Sequence, residues 1–406
     1  MIRIRCFSSA TRSKPQSIEI QGITYGLDGV SNVTESIIAK TSAGLHRQHS
    51  HPINILKTRI ETHFARRDSS FCVVDNLDPV VTTRQNFDEL LIPTDHPGRK
   101  PTDTYYVNAS HVLRTHTSAH QGQVLSSSQS DAYLLTADVY RRDEVDPTHY
   151  PVFHQMEGIK LFDRKAISKA SGTQSDFLDA ASIQSCHSLG EAEFVASHLK
   201  TELECLIRAL LGSDPSLKWR WVDAYFPFTH PSWELEVFYD NKWIELFGCG
   251  VIRQPILDST DNKHKVGWAF GLGLERIAMA LFGIPDIRLF WSKDSRFLSQ
   301  FTSNQFSKFV PYSKYPVCYK DISFWLPGDG FHENDFLELV RDAAGDVAEK
   351  VTLIDKFVHP KTSRISHCYR IEYRSMDRTL VNGEVDLLQD VIRNKVSSVI
   401  KGELRG

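Results

Sequence analysis

One stretch of the chain, VYRRDEVDPTHYPVFHQMEG, combines side chains that could bind an anion, an amine and a flat ring. If its two ends are strands, Arg141 and Asp143 share one face of the first strand, because alternate side chains point the same way. Phe153, Gln155 and Glu157 likewise share one face of the second strand. An arginine fork bonds two oxygens of a carboxylate or phosphate, an aromatic ring stacks on a nucleobase, and an amide with a carboxylate suits an ammonium group. The pattern as a whole predicts the floor of a binding pocket, although an arginine or glutamate taken alone more often lies on an exposed hairpin.

A second stretch, GWAFGLGLERIAMALFG, reads as a glycine-rich turn that leads into a helix. Gly271 and Gly273 would let the backbone approach a ligand, and a helix N-terminus offers free N–H groups to an anion. Arg276 lies on the predicted first turn, where its charge could reach a phosphate. The pattern GxxxxGK[ST] is absent, so this is not a P-loop. A helix that merely packs closely on a sheet explains the glycines equally well.

Apolar periodicity and turn residues predict the elements that would position these side chains. The first stretch falls on two predicted strands joined by the polar loop Glu144–Tyr150. A turn at Asp240-Asn241, between two segments of period two, predicts a further hairpin. The predicted strands are Ala132–Asp143, Val152–Leu161 and Trp219–Phe228, and the predicted helices are Pro52–Arg67, Ser110–Gln121 and Glu191–Leu211.

The pattern changes after Pro311–Tyr315, which reads as a linker. The next elements are predicted as strand Val317–Leu326, helix Asp335–Val347, strands Val351–Val358 and His367–Arg374, and helix Glu384–Ile400. This order is most of a βαββαβ ferredoxin-like unit. Its second half is rich in basic residues, which suit phosphate contacts with RNA, although each alone could equally lie on a solvated face. The candidate RNA contacts are Lys356, Lys361, Arg364, Arg370 and Arg374.

Composition limits what the chain can be. Its 406 residues suit two or three domains, and 41% hydrophobic with 24% charged residues is typical of a soluble globular protein. No apolar run approaches the roughly 20 residues of a membrane-spanning helix, so no membrane partner is expected. The net charge of −3 confines any nucleic-acid contact to a local basic patch. The seven scattered cysteines, without a CxxC pair, indicate reduced thiols and neither a disulfide framework nor a zinc site.

The first residues, MIRIRCFSSATRSK, are rich in arginine and serine and contain no acid. This composition is typical of an organelle transit peptide, and a disordered basic terminus is the alternative.

The two chemistry-bearing stretches together resemble motifs 2 and 3 of class II aminoacyl-tRNA synthetases. Three further segments, RTHTSAHQ from Arg114, YFPFTHPSWE from Tyr225 and WIELFGCG from Trp243, resemble the phenylalanyl-tRNA synthetases of that class. The terminal unit resembles their anticodon-binding domain, and the presence of both units in one chain is similar to the mitochondrial members. The resemblance runs from about His51 to the C-terminus and is weakest at 163–189.

The resemblance implies an α+β protein with a class II antiparallel-sheet catalytic domain followed by a ferredoxin-like βαββαβ anticodon-binding domain. The expected plan is a mitochondrial transit peptide at 1–14, an N-terminal extension at 15–50, a catalytic domain at 51–295 with a variable insertion at 163–189, a linker at 296–314 and the anticodon-binding domain at 315–406.

The resemblance also implies roles for individual residues. Arg141 would hold the ATP α-phosphate and the amino-acid carboxylate, Arg276 the γ-phosphate, and Phe153 would stack on adenine. The implied catalytic residues are Arg141, Arg276 and His149, and the implied ATP site consists of Arg141, Thr148, His149, Tyr150, Phe153, Glu245 and Arg276. The implied phenylalanine site consists of His116, Ser118, Ala119, His120, Gln121, Gln155, Met156, Glu157, Phe226, Phe228, Ala269, Phe270 and Gly271. Asp143 stands where the family pattern usually has Glu, so its role stays open.

The implied reaction is the ATP-dependent attachment of phenylalanine to tRNA(Phe) through phenylalanyl-adenylate, in the mitochondrial matrix. ATP and Mg²⁺ are the expected cofactors, with Mg²⁺ bound beside ATP near Glu245 and not by the protein alone. A monomer is expected, as in the mitochondrial members. One alternative is a related ligase with a non-tRNA acceptor, which the anticodon-binding unit disfavours. The other is a non-catalytic RNA-binding paralogue, which the presence of Arg141 and Arg276 disfavours.

Overall fold

The computed structural model describes residues 16–127, 129–170, 178, 182–212, 217–239, 241–301, 306–311, 315–328 and 330–405. The predicted transit peptide at 1–14 lies outside the described residues, and the variable stretch at 163–189 and the linker at 296–314 lie partly outside them.

The strands are β1 Ser17–Ile20, β2 Ile23–Gly26, β3 Phe71–Val74, β4 Val80–Thr82, β5 Tyr106–Asn108, β6 His111–Leu113, β7 Ala132–Tyr140, β8 Val152–Asp163, β9 Lys218–Phe226, β10 Thr229–Tyr239, β11 Lys242–Ile252, β12 Lys265–Gly273, β13 Cys318–Trp325, β14 Ala348–Val358, β15 Ile365–Tyr373 and β16 Glu403–Leu404. The α-helices are α1 Glu35–Ile38, α2 Pro52–Arg67, α3 Thr83–Asn86, α4 Gln121–Ser127, α5 Arg164–Ala170, α6 Leu189–Leu211, α7 Gln254–Asp258, α8 Leu274–Phe282, α9 Ser295–Leu298, α10 Glu333–Ala344 and α11 Asn382–Lys395. Short 3-10 helices include Thr117–His120 and Ile287–Trp291.

A seven-stranded sheet forms the centre of the first large domain, in the order β3-β7-β8-β12-β11-β10-β9. β3 and β7 run parallel, and the other neighbouring pairs are antiparallel. β7 is buried at every position, because it lies inside the sheet and both of its faces pack against apolar clusters. β8 pairs with β7 on one edge and with β12 on the other. Its central position therefore brings the two chemistry-bearing stretches of the sequence together.

Helices α2, α6 and α8 pack together on one face of this sheet. α2 begins at Pro52, because proline suits the first helical position and the ring of His51 accepts the N–H of Ile53 at 3.2 Å. It ends at Arg67, as the helical spacing predicted. Its buried stripe fixes the helix on the sheet and consists of Ile53, Leu56, Ile60 and Phe64.

The helix predicted over Ser110–Gln121 is wrong. The segment forms β6 and a 3-10 helix, and α4 begins only at Gln121. β6 lies between β4 and β5, so strand neighbours take its backbone hydrogen bonds. The buried side chain of Arg114 then reaches the carbonyl oxygen and the carboxylate of Asp138. Local spacing could not reveal these partners, which are distant in the sequence.

Two predicted boundaries near the site also differ. β7 ends at Tyr140, so Arg141 and Asp143 lie in the following loop and do not share a strand face. The predicted glycine-rich turn is strand β12. A Cβ at Gly267 would lie 2.3 Å from the carbonyl oxygen of Lys160, so this glycine permits close approach of the neighbouring strand.

The terminal domain is a four-stranded antiparallel sheet, β14-β15-β13-β16, with α10 and α11 packed against it. The rings of Phe336 on α10 and Tyr369 on β15 lie 4.4 Å apart at the centre of its core. The short strand β16 completes the order βαββαβ, so the predicted α+β architecture with a ferredoxin-like terminal unit is confirmed.

Hydrogen bonds from polar side chains join the two domains. Tyr105 donates its hydroxyl to Glu338 at 2.7 Å, and Tyr150 donates its hydroxyl to Asp346 at 2.5 Å. Arg288 donates to the carbonyl oxygen of Asp346 at 2.8 Å. The loop between β7 and β8 therefore lies against the terminal domain. None of the helices in the described residues has both the length and the apolar character needed to cross a membrane.

Candidate active site

The candidate site lies on the face of β8 that carries Phe153, Gln155 and Glu157, as their alternation predicted. Phe153 and Gln155 are half-buried and Glu157 is buried, so the site becomes deeper along the strand. Gly273 and Gly271 lie opposite Gln155 and Glu157 on β12, and a Cβ at either glycine would meet open space. The glycines therefore leave room for a ligand beside the polar side chains.

Glu157 is a buried carboxyl group at the inner end of the site. Burial raises its pKa to about 7, and hydrogen bonds from Ser118 and Thr117 partly oppose this rise. The hydroxyl of Thr117 donates to the Glu157 carboxyl at 3.2 Å, and its backbone N–H donates to Gln155 Oε1 at 3.3 Å. A ligand ammonium group would favour the ionised carboxylate. This arrangement suits an amine.

Arg141 supplies positive charge at the neighbouring part of the site. Its guanidinium carbon lies 5.3 Å from the centroid of the Phe153 ring, and its Nε donates to the carbonyl oxygen of Thr115 at 2.8 Å. Burial lowers the pKa of Arg141, whereas Asp143 and Glu245 raise it. Arginine stays protonated all the same, so its remaining donors can bind an anion. Asp143 affects Arg141 through its charge. Its carboxylate accepts the backbone N–H of Glu144.

Two aromatic rings and a neutral histidine form an apolar wall. The rings of Phe226 and Phe228 are stacked, with centroids 5.9 Å apart, and the ring of His116 lies 6.3 Å from Phe228. Burial lowers the pKa of His116 to about 3, so its ring is uncharged. A Cβ at Gly248 would lie 2.8 Å from Cζ of Phe226, so the neighbouring strand needs a residue without a side chain at this position. An uncharged wall beside an amine site suits an apolar or aromatic side chain.

The outer end of the site is open to solvent. Arg276, on the first turn of α8, lies 3.7 Å from Glu245 on β11, and their side chains are 54% and 46% exposed. Burial and the charges of Glu245 and Glu236 raise the pKa of Glu234 on the neighbouring strand. Glu234 was missed in the sequence, although it ends the segment YFPFTHPSWE. Crowded carboxylates beside an arginine suit a ligand that brings phosphates and a cation together.

The 3-10 helix after β6 holds most of the other predicted contacts. Ser118 bonds Glu157, Ala119 is buried on the same helix, and Gln121 is buried at the start of α4. Ala269 lies two residues before Gly271 and shares its face of β12. Thr117 contacts both Gln155 and Glu157 on the site face of β8. It was missed although it lies between two predicted contacts.

Three predicted phenylalanine contacts point elsewhere. Met156 and Phe270 alternate with site residues on their strands, so both lie in the core under the opposite face. The Phe270 ring is stacked 5.6 Å from the Phe64 ring of α2. His120 bonds Arg114 at 3.1 Å and belongs to the network around that arginine.

Asp146 organises the loop that carries Thr148, His149 and Tyr150. Its carboxylate accepts the backbone N–H of Thr148 at 2.6 Å and lies 2.8 Å from Nδ1 of His149. The hydrogen bond to Asp146 raises the pKa of His149. Within the described residues, Glu144, Asp146 and His149 alone form a group close enough to hold a metal ion, but two of them already pair with each other.

Tyr150 was predicted to bind ATP, and its position contradicts that prediction. It is buried between the domains, where its ring is stacked 5.4 Å from that of Trp291 and its hydroxyl bonds Asp346. Thr148 remains exposed and His149 half-exposed on the same loop.

The predicted RNA contacts divide between two parts of the terminal domain. Arg364 lies 5.0 Å from the Trp325 ring centroid, and exposed Lys356 and Lys361 lie on the same β14–β15 hairpin. The chain end adds Arg405, which lies 4.5 Å from the Phe357 ring centroid. Arg364 and Arg405 therefore lie at the half-buried rings of Trp325 and Phe357, with Lys361 on the same hairpin. Lys356 pairs opposite His367 and alternates with Phe357, so it faces the other side of the sheet.

Arg370 and Arg374 lie apart from the rings of Trp325 and Phe357. Arg370 pairs with Asp321 through two hydrogen bonds of 2.9 Å on the exposed sheet. Arg374 pairs with Glu349 at 3.1 Å, beside Arg288 at the domain interface. The predicted RNA contact of Arg374 is therefore replaced by a structural ion pair.

Comparison with known proteins gives two family matches and many relatives. Residues 37–186 and 184–301 match the family described as tRNA synthetases class II core domain (F), and residues 313–405 match the ferredoxin-fold anticodon binding domain. The mitochondrial phenylalanine–tRNA ligase of Mus musculus is 47% identical, over 98% of this chain and 91% of the relative. The mitochondrial phenylalanine–tRNA ligase of Saccharomyces cerevisiae is 43% identical, over 97% and 96%. The chloroplastic/mitochondrial phenylalanine–tRNA ligase of Arabidopsis thaliana is 49% identical, over 93% and 83%.

Proposed function

This chain belongs to the phenylalanine–tRNA ligase family of class II aminoacyl-tRNA synthetases and charges tRNA with phenylalanine, and we propose that it does so through an adenylate formed on the face of β8. The family predicted from the sequence is confirmed by these matches. The observation that carries the site assignment is the grouping of buried Glu157, half-buried Arg141 and the apolar wall. These three parts match the amine, carboxylate and side chain of one amino acid.

Phenylalanine binds, in this proposal, with its ammonium group at Glu157 and Gln155. Its ring packs against Phe226 and Phe228, with neutral His116 closing the wall. Its carboxylate points toward Arg141, which lies beside Phe153. A ligand held at three points has little freedom to rotate, so its carboxylate is fixed for reaction.

ATP extends from Phe153 to the open end of the site. Its adenine stacks on Phe153, its α-phosphate contacts Arg141 and its γ-phosphate contacts Arg276. Thr148 and His149 approach from the loop. Magnesium brought with ATP would fit beside Glu245 and Glu234, whose carboxylate oxygens suit it, and would offset the phosphate charge.

Two transfers follow from this arrangement. A carboxylate oxygen of phenylalanine bonds the α-phosphorus, and the bond from that phosphorus to the bridging oxygen breaks to release pyrophosphate. A ribose hydroxyl of tRNA then bonds the activated carbonyl carbon, and AMP leaves. Arg141 stabilises charge on the reacting phosphate and Arg276 stabilises charge on the leaving pyrophosphate. Neither step needs a nucleophile from the protein.

The tRNA contacts the terminal domain at the surface formed by Trp325, Phe357, Lys361, Arg364 and Arg405. Cations suit the phosphate backbone, and aromatic rings suit stacking with unpaired bases. Arg370 adds charge on the adjoining sheet.

The relatives are mitochondrial, and we place this chain in the mitochondrial matrix, acting on tRNA(Phe) there. We propose a monomer, because one chain carries both the synthetase core and the anticodon-binding unit. Light scattering during size-exclusion chromatography tests this proposal, and a mass near twice 46.2 kDa would contradict it.

Phenylalanine-dependent exchange of pyrophosphate into ATP, followed by charging of mitochondrial tRNA, tests the proposed function. Both reactions are expected. Exchange without charging would favour a ligase with another acceptor, and the absence of both would favour a non-catalytic RNA-binding protein.

A further inference from the structure

The guanidinium of Arg141 is held by one backbone carbonyl. Its Nε donates to the carbonyl oxygen of Thr115 at 2.8 Å, and within the described part of the chain it makes no other hydrogen bond or ion pair. The two terminal nitrogens therefore remain available to a ligand. Their direction depends on how Nε is held, so it depends on the position of the Thr115 carbonyl.

The side chain of Asn86 fixes Thr115, which lies in the loop between β6 and the 3-10 helix Thr117–His120. Oδ1 of Asn86 accepts the backbone N–H of Thr115 at 3.0 Å, and Nδ2 donates to the Thr115 hydroxyl at 2.9 Å. An amide suits this position because it must accept from one group and donate to another. Both residues are buried, so water does not compete for these bonds.

Asn86 is the last residue of α3, a short helix whose start is held by hydrogen bonds. In a capping box, the Thr82 hydroxyl accepts the backbone N–H of Gln85 at 3.1 Å, and Gln85 Oε1 accepts that of Thr82 at 2.9 Å. The N–H of Thr83 donates to the carbonyl oxygen of Ser110 at 2.9 Å. The helix is thus attached at the beginning of β6, and Asn86 contacts the chain just after the end of β6.

The backbone of Arg141 is placed by the same loop. The carbonyl oxygen of Arg114 accepts the N–H of Tyr140, the last residue of β7, at 2.9 Å. Arg141 follows directly, and its side chain bonds the next carbonyl of the loop, that of Thr115. The backbone of Arg141 is therefore placed through Arg114, and its guanidinium through Asn86 and Thr115.

We propose that Asn86 is a positioning residue that holds the Thr115 carbonyl and thereby orients the guanidinium of Arg141 for adenylate formation. The proposal rests on the proposed function of Arg141. Asn86 is fully buried, so it acts on the substrates only through its neighbours. A fixed charge stabilises a transition state only where its geometry is maintained. Loss of Asn86 should therefore slow the reaction although the positive charge is still present.

The test measures phenylalanine-dependent pyrophosphate exchange on the full chain, with and without Arg141. Asn86→Ala should lower kcat about tenfold to thirtyfold, because the guanidinium stays but is no longer held in one orientation. In the Arg141→Ala background, Asn86→Ala should lower kcat by no more than about twofold, because the group that it positions is gone. A mere loss of folding stability would give the same loss in both backgrounds.

A second measurement separates Arg141 from the phenylalanine site, because Thr115 directly precedes His116. Phenylalaninol has the ring and the amine of phenylalanine but no carboxylate, so its binding does not need Arg141. Its Kd, measured by calorimetry, should stay within about twofold in Asn86→Ala.

The matched control is Asn262→Ala. The buried amide of Asn262 donates to the carbonyl oxygens of Thr260 at 2.8 Å and Leu125 at 3.3 Å, and neither of these residues bonds Arg141. Its kcat should stay within about twofold of the wild type, although a comparable pair of buried hydrogen bonds is lost.

Two variants of Thr115 keep the proposal testable if Asn86→Ala does not fold. Thr115→Val removes the hydroxyl but keeps the backbone bond to Asn86, and should lower kcat about threefold. This loss should disappear in the Arg141→Ala background. Thr115→Ser keeps both bonds and should lose less activity than Thr115→Val.

An unchanged kcat in Asn86→Ala would overturn the proposal and would mean that Arg114 alone fixes the loop. An equal loss in both backgrounds, or weaker binding of phenylalaninol, would also overturn it, because Asn86 would then act on folding or on the phenylalanine site. Arg141→Ala tests the underlying assignment separately. Should it exchange pyrophosphate at the wild-type rate, the proposed role of Arg141 fails whatever Asn86→Ala shows.

Discussion

The charged groups at the inner end of the candidate site are buried, whereas those at the outer end are exposed to solvent. At the inner end, Glu157 is 2% exposed and is bonded by the hydroxyl of Thr117. At the outer end, the side chains of Arg276 and Glu245 are about half exposed and lie 3.7 Å apart. The inner charge is therefore desolvated before any ligand arrives, whereas the outer charges are screened by water.

This difference indicates how each end contributes to binding. A buried charge interacts strongly with an opposite charge because the local dielectric is low, and its own ionisation is costly without that partner. Exposed charges interact more weakly and respond to salt. The inner end is thus suited to a fixed small ligand, and the outer end to a phosphate chain that arrives with its cation.

Replacing Arg141 should have the largest effect. Arg141→Ala should lower the rate of phenylalanine-dependent pyrophosphate exchange about 10²–10³-fold, the range for removing a group that stabilises transition-state charge. The loss should depend less on salt than the loss in Arg276→Ala, because Arg141 is half-buried whereas Arg276 is exposed. Arg393→Ala, on the surface of α11, is the matched control and should exchange normally. An active Arg141→Ala variant would show that the reacting phosphate lies elsewhere.

Replacing Arg276 sharpens the comparison, because this arginine lies at the exposed end. Arg276→Ala should lower kcat/KM for ATP about 10²-fold at low ionic strength. The ratio of wild-type to variant activity should shrink as salt is raised from about 0.05 to 0.5 M, since the Debye length falls over that range. A salt-independent ratio would mean that the outer end closes over ATP and shields Arg276 from solvent.

Replacing Glu157 tests the inner end through pH. Because its pKa is raised to about 7, the free carboxyl is mainly protonated below that pH and becomes an ammonium partner above it. The kcat/KM for phenylalanine should therefore rise between about pH 6 and pH 8 in the wild type. Glu157→Gln should lower it about 30-fold at pH 8 and abolish the rise. A rise that persists in the variant would assign the titration to another group.

The positions of side chains on the strands could be predicted from the sequence more accurately than those on the segments between the strands. Phe153, Gln155 and Glu157 could be placed on one face because a strand alternates strictly, and the structure keeps that face. The same alternation excludes Met156 and Phe270 from the phenylalanine site, although the resemblance implies both as contacts.

The errors arise where distant residues decide the conformation. The segment around Arg114 has helical spacing, yet Asp138 and the strands beside β6 hold it extended. Tyr150 follows Thr148 and His149 in the sequence, yet its ring stacks on Trp291 and its hydroxyl bonds Asp346, so it lies between the domains. Neither partner could be identified from local pattern.

Gly248→Ala should have the smallest effect and tests how tightly the inner wall is packed. The added methyl group would lie 2.8 Å from Cζ of Phe226, so that ring must move toward the space assigned to phenylalanine. We expect the KM for phenylalanine to rise about threefold to tenfold while the KM for ATP stays unchanged, because small overpacking costs are typical when a neighbour can shift.

Gly383→Ala is the control, since a Cβ there meets open space. Equal changes in both KM values would mean that the inner wall and the outer end move as one body. An unchanged KM for phenylalanine would mean that Phe226 does not border its ring, and the apolar wall would then consist of Phe228 and His116 alone.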